Sequence, residues 1–211
     1  LDFGTTVQEK RVVALAATAA FGLLSLQGGN HVQFLVTGGD ELQRLQPASS
    51  RVTVMAALAR LHDGPRADRP PAAGASLTDG LETLSRLRRR RGRVVVVSDF
   101  LDDEWAVPLQ ALAHHHQVVS VQVLDLRTLI PWDREAVLEA ARQTSKVLVL
   151  HEDTRTGGFG AEIAATIAEE AFEHLDAPVK RLAAPDSPVP FSPPLEQAFI
   201  PQIADVVAGL R

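Results

Sequence analysis

The chain has 211 residues, no cysteine and a formal net charge of −5. That length accommodates one large domain or two small ones with a real core. It leaves no disulfide framework and no thiolate chemistry, and the mild acidity argues against a nucleic-acid partner. A cysteine-free composition suits a cytoplasmic protein, the location expected here, and the start at Leu1 without methionine reads as a truncated one.

Lys10-Arg11 ahead of an apolar run from Val12 to Leu26 imitates the charged and apolar regions of a signal peptide. The run is shorter than the roughly 20 residues of a membrane span, and it holds Thr18, Gly22 and Ser25. A buried core helix over 8–26 is the expectation, with no membrane partner. Residues 31–37 read as a strand, which Gly38-Gly39-Asp40 turns into a second short strand over 41–46. A helix follows over 52–61, then an exposed loop over 64–75 rich in Pro, Ala and Gly. The next helix, 77–90, places Leu77, Leu81, Leu84 and Leu87 on one face.

From here the alternation is regular. Val94 to Val97 are consecutive valines, the mark of a strand covered on both faces. A helix over 105–115 and a strand over 118–124 come next. Asp133 can cap a helix running to 143. A strand over 147–150 precedes a helix over 161–175, striped with Ile163, Ile167, Ala171 and Phe172, and the last strand spans 178–182. A proline-rich arm, 185–194, leads through a short turn to a final helix over 202–210, with Pro201 at its start. Strand-helix alternation with short connections predicts an α/β chain. The expected architecture is a doubly wound, mostly parallel sheet with helices on both faces, a Rossmann-like three-layer domain.

Two groups in the first part could serve a metal ion. Thr78 lies where a helix opens, and Asp99 lies at the carboxyl end of the valine strand, where open α/β sheets hold their ligands. A hydroxyl and a carboxylate brought together there suit Mg²⁺. The alternative roles are a helix cap for Thr78 and a loop carboxylate capping the next helix for Asp99. Together with Asp2-Phe3-Gly4, the downstream Lys10 and the arginine run before Val-Val-Ser-Asp-Phe, these residues resemble a known family over residues 1–124. It is the von Willebrand factor A-like "domain of unknown function 58" family, found beside MoxR-type AAA+ ATPases. The resemblance implies a protein-binding adaptor with an AAA+ ATPase partner, and it maps a metal-site threonine and aspartate onto Thr78 and Asp99. The family's Asp-x-Ser-x-Ser ligands are absent from this sequence, so any Mg²⁺ binding is expected to be weak.

The second part carries a longer series of motifs. They are Val123-Leu124-Asp125-Leu126-Arg127-Thr128-Leu129-Ile130-Pro131, then His151-Glu152, then Arg155-Thr156-Gly157-Gly158-Phe159-Gly160. Ala177-Pro178-Val179, Pro185-Asp186-Ser187-Pro188-Val189-Pro190-Phe191 and Pro194-Leu195-Glu196-Gln197-Ala198-Phe199 follow. In this order they look like the carboxyl-terminal transketolase-type domain of the beta subunit of the 2-oxo acid dehydrogenase first component, over about 123–211. The resemblance implies association with dehydrogenase alpha and beta subunits and docking of the acyltransferase binding domain. It points to Arg155, Gly157, Gly158, Phe159, Pro188, Pro190 and Phe191 as interface residues. It also implies that thiamine diphosphate is held only in the parent complex, by other domains, so no complete active site is expected in this chain.

Physically, Gly157, Gly158 and Gly160 allow a tight turn into a helix, whose free amides could meet an anion or simply be capped. The proline-rich arm is pre-extended and loses little entropy on docking; a plain surface crossover is its other reading. His151 and Glu152, adjacent on a strand, face opposite sides and make a poor acid-base pair. His114, His115 and His116 splay around a helix by about 100° per residue and read as a solvated helix end. Arg88 to Arg91 lack interleaved aromatics for nucleic acid.

Two segments, 1–124 and 125–211, are thus expected to share one continuous sheet. Such a join could be a natural fusion, an engineered recombinant or a product of sequence assembly. The leading function is a non-catalytic docking domain, followed by the metal-linked adaptor, and then by a chimera with no evolved function.

Overall fold

The computed structural model describes residues 10–27, 29–38, 41–63, 75–87, 91–101 and 104–210. Asp2, Phe3 and Gly4, Arg88 to Arg90 and nearly all of the expected loop over 64–75 lie outside them. The chain divides into two compact units, Leu1–Val123 and Leu124–Arg211.

The first unit opens with α1 (Lys10–Gln27), whose Ala16, Ala17, Ala19 and Ala20 are buried. Small side chains let a neighbouring element approach closely: a Cβ on Gly22 would stand 3.4 Å from Val54. The expected strands are trimmed to β1 (Leu35–Val36) and β2 (Gln43–Arg44), an antiparallel pair extended by a bridge between Val32 and Ala48. Next comes α2 (Arg51–Asp63), where Val54 and Leu58 join Ala19, Phe34 and Ala48 in one core. The helix α3 (Leu77–Leu87) starts from a reciprocal cap. The Ser76 hydroxyl accepts from the Asp79 amide at 3.1 Å, and the Asp79 carboxylate accepts from the Ser76 amide at 2.9 Å. The Ser76 amide and hydroxyl both donate to that carboxylate and hold the Asp79 carboxyl below its ordinary range.

The valine strand β3 (Arg93–Ser98) pairs in parallel with β4 (Gln117–Gln122), the two joined through α4 (Ala106–His115). Val96 is buried with Leu81 and Leu112, while Val94, Val95 and Val97 keep partial exposure. The strand is less enclosed than its sequence suggests because its described ladder has one partner only.

The second unit contains α5 (Arg134–Thr144), β5 (Leu148–Thr154), α6 (Gly160–Glu170), β6 (Lys180–Ala184), α7 (Pro193–Phe199) and α8 (Ile203–Gly209). Asp133 caps α5 as expected, accepting from the Ala136 amide at 3.0 Å. The strand β5 pairs in parallel with β6, and α5 and α6 close over it, burying Val137, Leu138, Ala141, Val149, Ile163, Ile167 and Ala171.

Several boundaries differ from the periodic reading. β5 runs on through His151 to Thr154 because its partner β6 lies further along the chain than expected. The long helix stops at Glu170, and a 3-10 turn at Phe172–His174 leaves Phe172 exposed. The turn after the arm is the helix α7, with Pro193 and Pro194 in its first turn, where a missing N–H costs nothing. Gln202, not Pro201, caps α8 through a reciprocal bond with Asp205.

The α/β class with parallel strands holds. Its described ladders are two strands wide, and each stays within its own unit. After β4 the chain enters the non-strand segment 123–133, which contains the cis Ile130–Pro131 bond.

Candidate functional site

In the first unit, Asp99 does stand at the carboxyl end of a parallel strand pair. The Ser98 hydroxyl accepts from the Phe100 amide at 3.1 Å, and Gln122 Nε2 donates to the Asp99 carbonyl at 3.5 Å. Phe100 takes a left-handed φ of 55° and packs edge-on against Trp105, ring centroids 4.9 Å apart. The N-cap position of α4 is Trp105, whose side chain makes no capping bond. Thr78 lies inside the first turn of α3, whose cap is Ser76, so the expected capping role passes to Ser76. Leu77 and Phe100, neighbours of the two candidates, pack on the same core of Leu81, Val96 and Leu112. Among the described residues no three His, Asp or Glu side chains gather as metal ligands. One hydroxyl and one carboxylate do not fill an octahedral Mg²⁺ shell. His114 and His115 are exposed, whereas His116 turns inward to 8% exposure, so the triplet is not a uniformly solvated helix end.

In the second unit, the glycine-rich turn is built around His151. Gly157 is exposed with a φ of 77°, a left-handed conformation that favours glycine. Gly158 and Gly160 are buried for a different reason: the Thr154 carbonyl fills the space a side chain would need at 158, and the His151 imidazole fills it at 160. A Cβ on Gly158 would stand 2.9 Å from His151 Cε1, and one on Gly160 would overlap the ring. Phe159 points the other way and meets Trp132 edge-on, centroids 6.4 Å apart, at the border of the core. Gly158 and Phe159, expected at an interface, therefore face inward; Arg155 and Gly157 remain exposed.

The turn is tied to the proline-rich arm. Thr156 donates to the Asp186 carboxylate twice, through its hydroxyl at 2.7 Å and its amide at 2.8 Å. These bonds hold the Asp186 carboxyl below its usual range. Beyond this anchor the arm stands free: Pro188 is exposed, Val189 is 61% exposed and Phe191 is fully exposed, while Pro190 is half-buried. Leu195, on α7, adds a further exposed apolar side chain. The Thr156–Asp186 clamp was not legible beforehand, because its partners lie 30 residues apart and neither belongs to a periodic element.

His151 and Glu152 do face opposite ways. Both imidazole nitrogens and one Glu152 carboxylate oxygen are buried with no hydrogen-bond partner among the described residues. Burial lowers the His151 pKa from its ordinary 6.5; Asp153 opposes that shift and Arg181 adds to it. Burial raises the Glu152 pKa, and Glu196 adds to it. The folded state therefore favours neutral His151, so the stability it contributes is present above pH 6.5 and is lost as pH falls below that value. Glu152 acts in the opposite sense, its contribution being lost as pH rises above 4.5 and through its raised folded value. Thermal melting between pH 7 and 5 should decline more steeply in the native protein than in His151→Gln. Equal slopes would show that the imidazole does not titrate against folding.

A parallel β-α-β core, a glycine turn opening the helix after its strand and an anchored proline-rich arm make this unit an α/β domain. Residues 108–206 match the family model described as "Transketolase, C-terminal domain". The match begins inside α4, upstream of the expected start at 123. The 2-oxoisovalerate dehydrogenase subunit beta of Bacillus subtilis is 47% identical over 94 residues, 44% of this chain and 29% of that protein. The mitochondrial subunit beta 2 of the same enzyme from Arabidopsis thaliana is 53% identical over 93 residues, 44% of this chain and 25% of that protein. The C-terminal region thus carries a transketolase C-terminal domain and is related to the beta subunits of 2-oxo acid dehydrogenases. An uncharacterised protein of Mycobacterium tuberculosis is 36% identical over 143 residues, 67% of this chain and 44% of that protein. The chain spans less than half the length of each of these relatives.

Proposed function

We propose that the C-terminal region is a non-catalytic association domain that docks a protein partner through the proline-rich arm. The observation that carries this reading is Phe191, fully exposed on an arm pinned at its root by Asp186 and Thr156. An apolar aromatic held at the end of a pre-extended segment loses little entropy on binding and gains a large buried area. Dehydrogenase alpha and beta subunits and the acyltransferase binding domain are the partners this relationship favours. Arg155, Gly157, Pro188, Pro190 and Phe191 form the docking surface, and Gly158 and Phe159 shape it from within. Thiamine diphosphate would be held by parts of such a complex outside these residues, with chemistry performed there. A cytoplasmic location belongs to the same proposal; among the described residues no helix is long and apolar enough to cross a membrane.

Calorimetric titration of the full chain with the acyltransferase binding domain tests this. Binding is expected, and Phe191→Ala should weaken it by about 2 kcal/mol, the scale of an aromatic anchor. No heat with any of the three partners, or equal affinity for the variant, would refute the arm as the docking element.

A second reading rests on Asp99 at the carboxyl end of the parallel pair. In it the first unit is a von Willebrand A-like adaptor for an AAA+ ATPase, with weak Mg²⁺ affinity at Thr78 and Asp99. Weak but saturable Mg²⁺ binding abolished by Asp99→Asn would favour it over the docking domain. A chimera without evolved function would bind none of these partners.

A further inference from the structure

One groove of the second unit, about 570 Å³ in volume, is lined by Arg155, Lys180 and Arg181 together with Leu148, Val179 and Leu182. Carboxylates outnumber cations in this unit, and other arginines there take them: Arg127 pairs with Asp125, Arg134 with Glu170 and Arg142 with Glu135. Arg155, Lys180 and Arg181 make no direct ion pair among the described residues, although the charge of Arg155 adds to the lowering of the Asp186 carboxyl. Instead they are held by backbone. Arg155 Nη1 donates to the Arg181 carbonyl at 3.4 Å, and Arg181 Nη1 donates to the Arg155 carbonyl at 3.0 Å. Lys180 Nζ donates to the Gly209 carbonyl at the end of α8, at 3.0 Å.

The acidic groups nearby are already engaged. Asp205, on the groove wall, accepts from the Gln202 amide at 2.8 Å, and Asp186 is clamped by Thr156. Each guanidinium spends one nitrogen on its carbonyl and keeps further N–H donors for another acceptor. Two braced guanidiniums and an ammonium around one concavity match the fork geometry of a phosphate-type oxyanion. The volume falls in the range of small-ligand pockets.

We infer that this groove binds a small phosphate-bearing anion, with Arg155 and Arg181 as its principal donors and Lys180 as a supporting charge. The apolar wall of Leu148, Val179 and Leu182 lies beside these donors and suits an organic body on the phosphate. Arg155 also belongs to the proposed docking surface, whereas Lys180 and Arg181 do not, so a phosphate titration without any protein partner reads the groove alone.

The test is a ¹H–¹⁵N correlation titration of the full chain with inorganic phosphate at constant ionic strength, with sodium chloride and acetate as separate arms. Saturable shifts centred on residues 155 and 180–182 are expected with phosphate. Arg155→Gln and Arg181→Gln should each weaken that binding about ten-fold, the loss of one charge-assisted hydrogen bond, while Arg142→Gln should not. Should Arg181→Gln fold poorly, Arg155→Gln carries the test, since its side chain is exposed. Shifts that follow chloride equally, acetate binding as tight as phosphate, or unchanged affinity in Arg155→Gln would each overturn the inference.

Discussion

Gly160→Ala is expected to destabilise the second unit by about 3 kcal/mol, the upper part of the range for overpacking a filled core. Glycine at 160 has no positive φ to justify it, so the usual backbone argument does not apply. The constraint is steric and comes from β5: the imidazole of His151 lies where the alanine methyl would go. Relief would need His151 to move, but its ring is enclosed by the Gly158 turn as well. Urea unfolding of the single variant measures the loss. Combining it with His151→Ala should recover part of it, because the methyl then enters the space vacated by the ring. A single variant as stable as the native protein would show that the turn does not rest on His151.

Ile167→Ala should cost about 2–5 kcal/mol, whereas Phe191→Ala should change stability by no more than about 0.5 kcal/mol. Ile167 has no exposed surface and sits among Leu138, Val149 and Ile163 in the core between α6 and its strands. Truncation there loses transfer energy and leaves a cavity that fixed strands cannot collapse into. Phe191 is as large and as apolar, yet it touches solvent on every side. Its removal takes nothing from the fold and is expected to act only on partner binding. Chemical denaturation beside the binding titration separates the two. A Phe191→Ala variant that unfolds as readily as Ile167→Ala would mean that the arm is part of the core and not a docking element.

Local chemistry made much of this chain readable. The valine run became β3, the Asp133 cap starts α5 as expected, and the stripe of Ile163 and Ile167 became the buried face of α6. The opposite facing of His151 and Glu152 followed from strand alternation alone. These are short-range properties, set by residues a few positions apart. The ordered motifs from Val123 to Phe199 likewise pointed to a transketolase-type domain, which the match over 108–206 supports.

What the sequence by itself determined, then, is the α/β class, the helix faces and the relationship of the C-terminal region. The tertiary structure alone decided where the glycines earn their place and where the arm is fastened. Gly160 is glycine because a ring from another element lies against it, and Asp186 holds Thr156 across 30 residues. It alone showed that Phe159 turns inward while Phe191 stays in solvent, and that Arg155 and Arg181 brace each other beside an open groove. Such outcomes depend on contacts between distant segments, and a one-dimensional pattern of apolar and polar residues holds no information on which distant side chain will fill a given space.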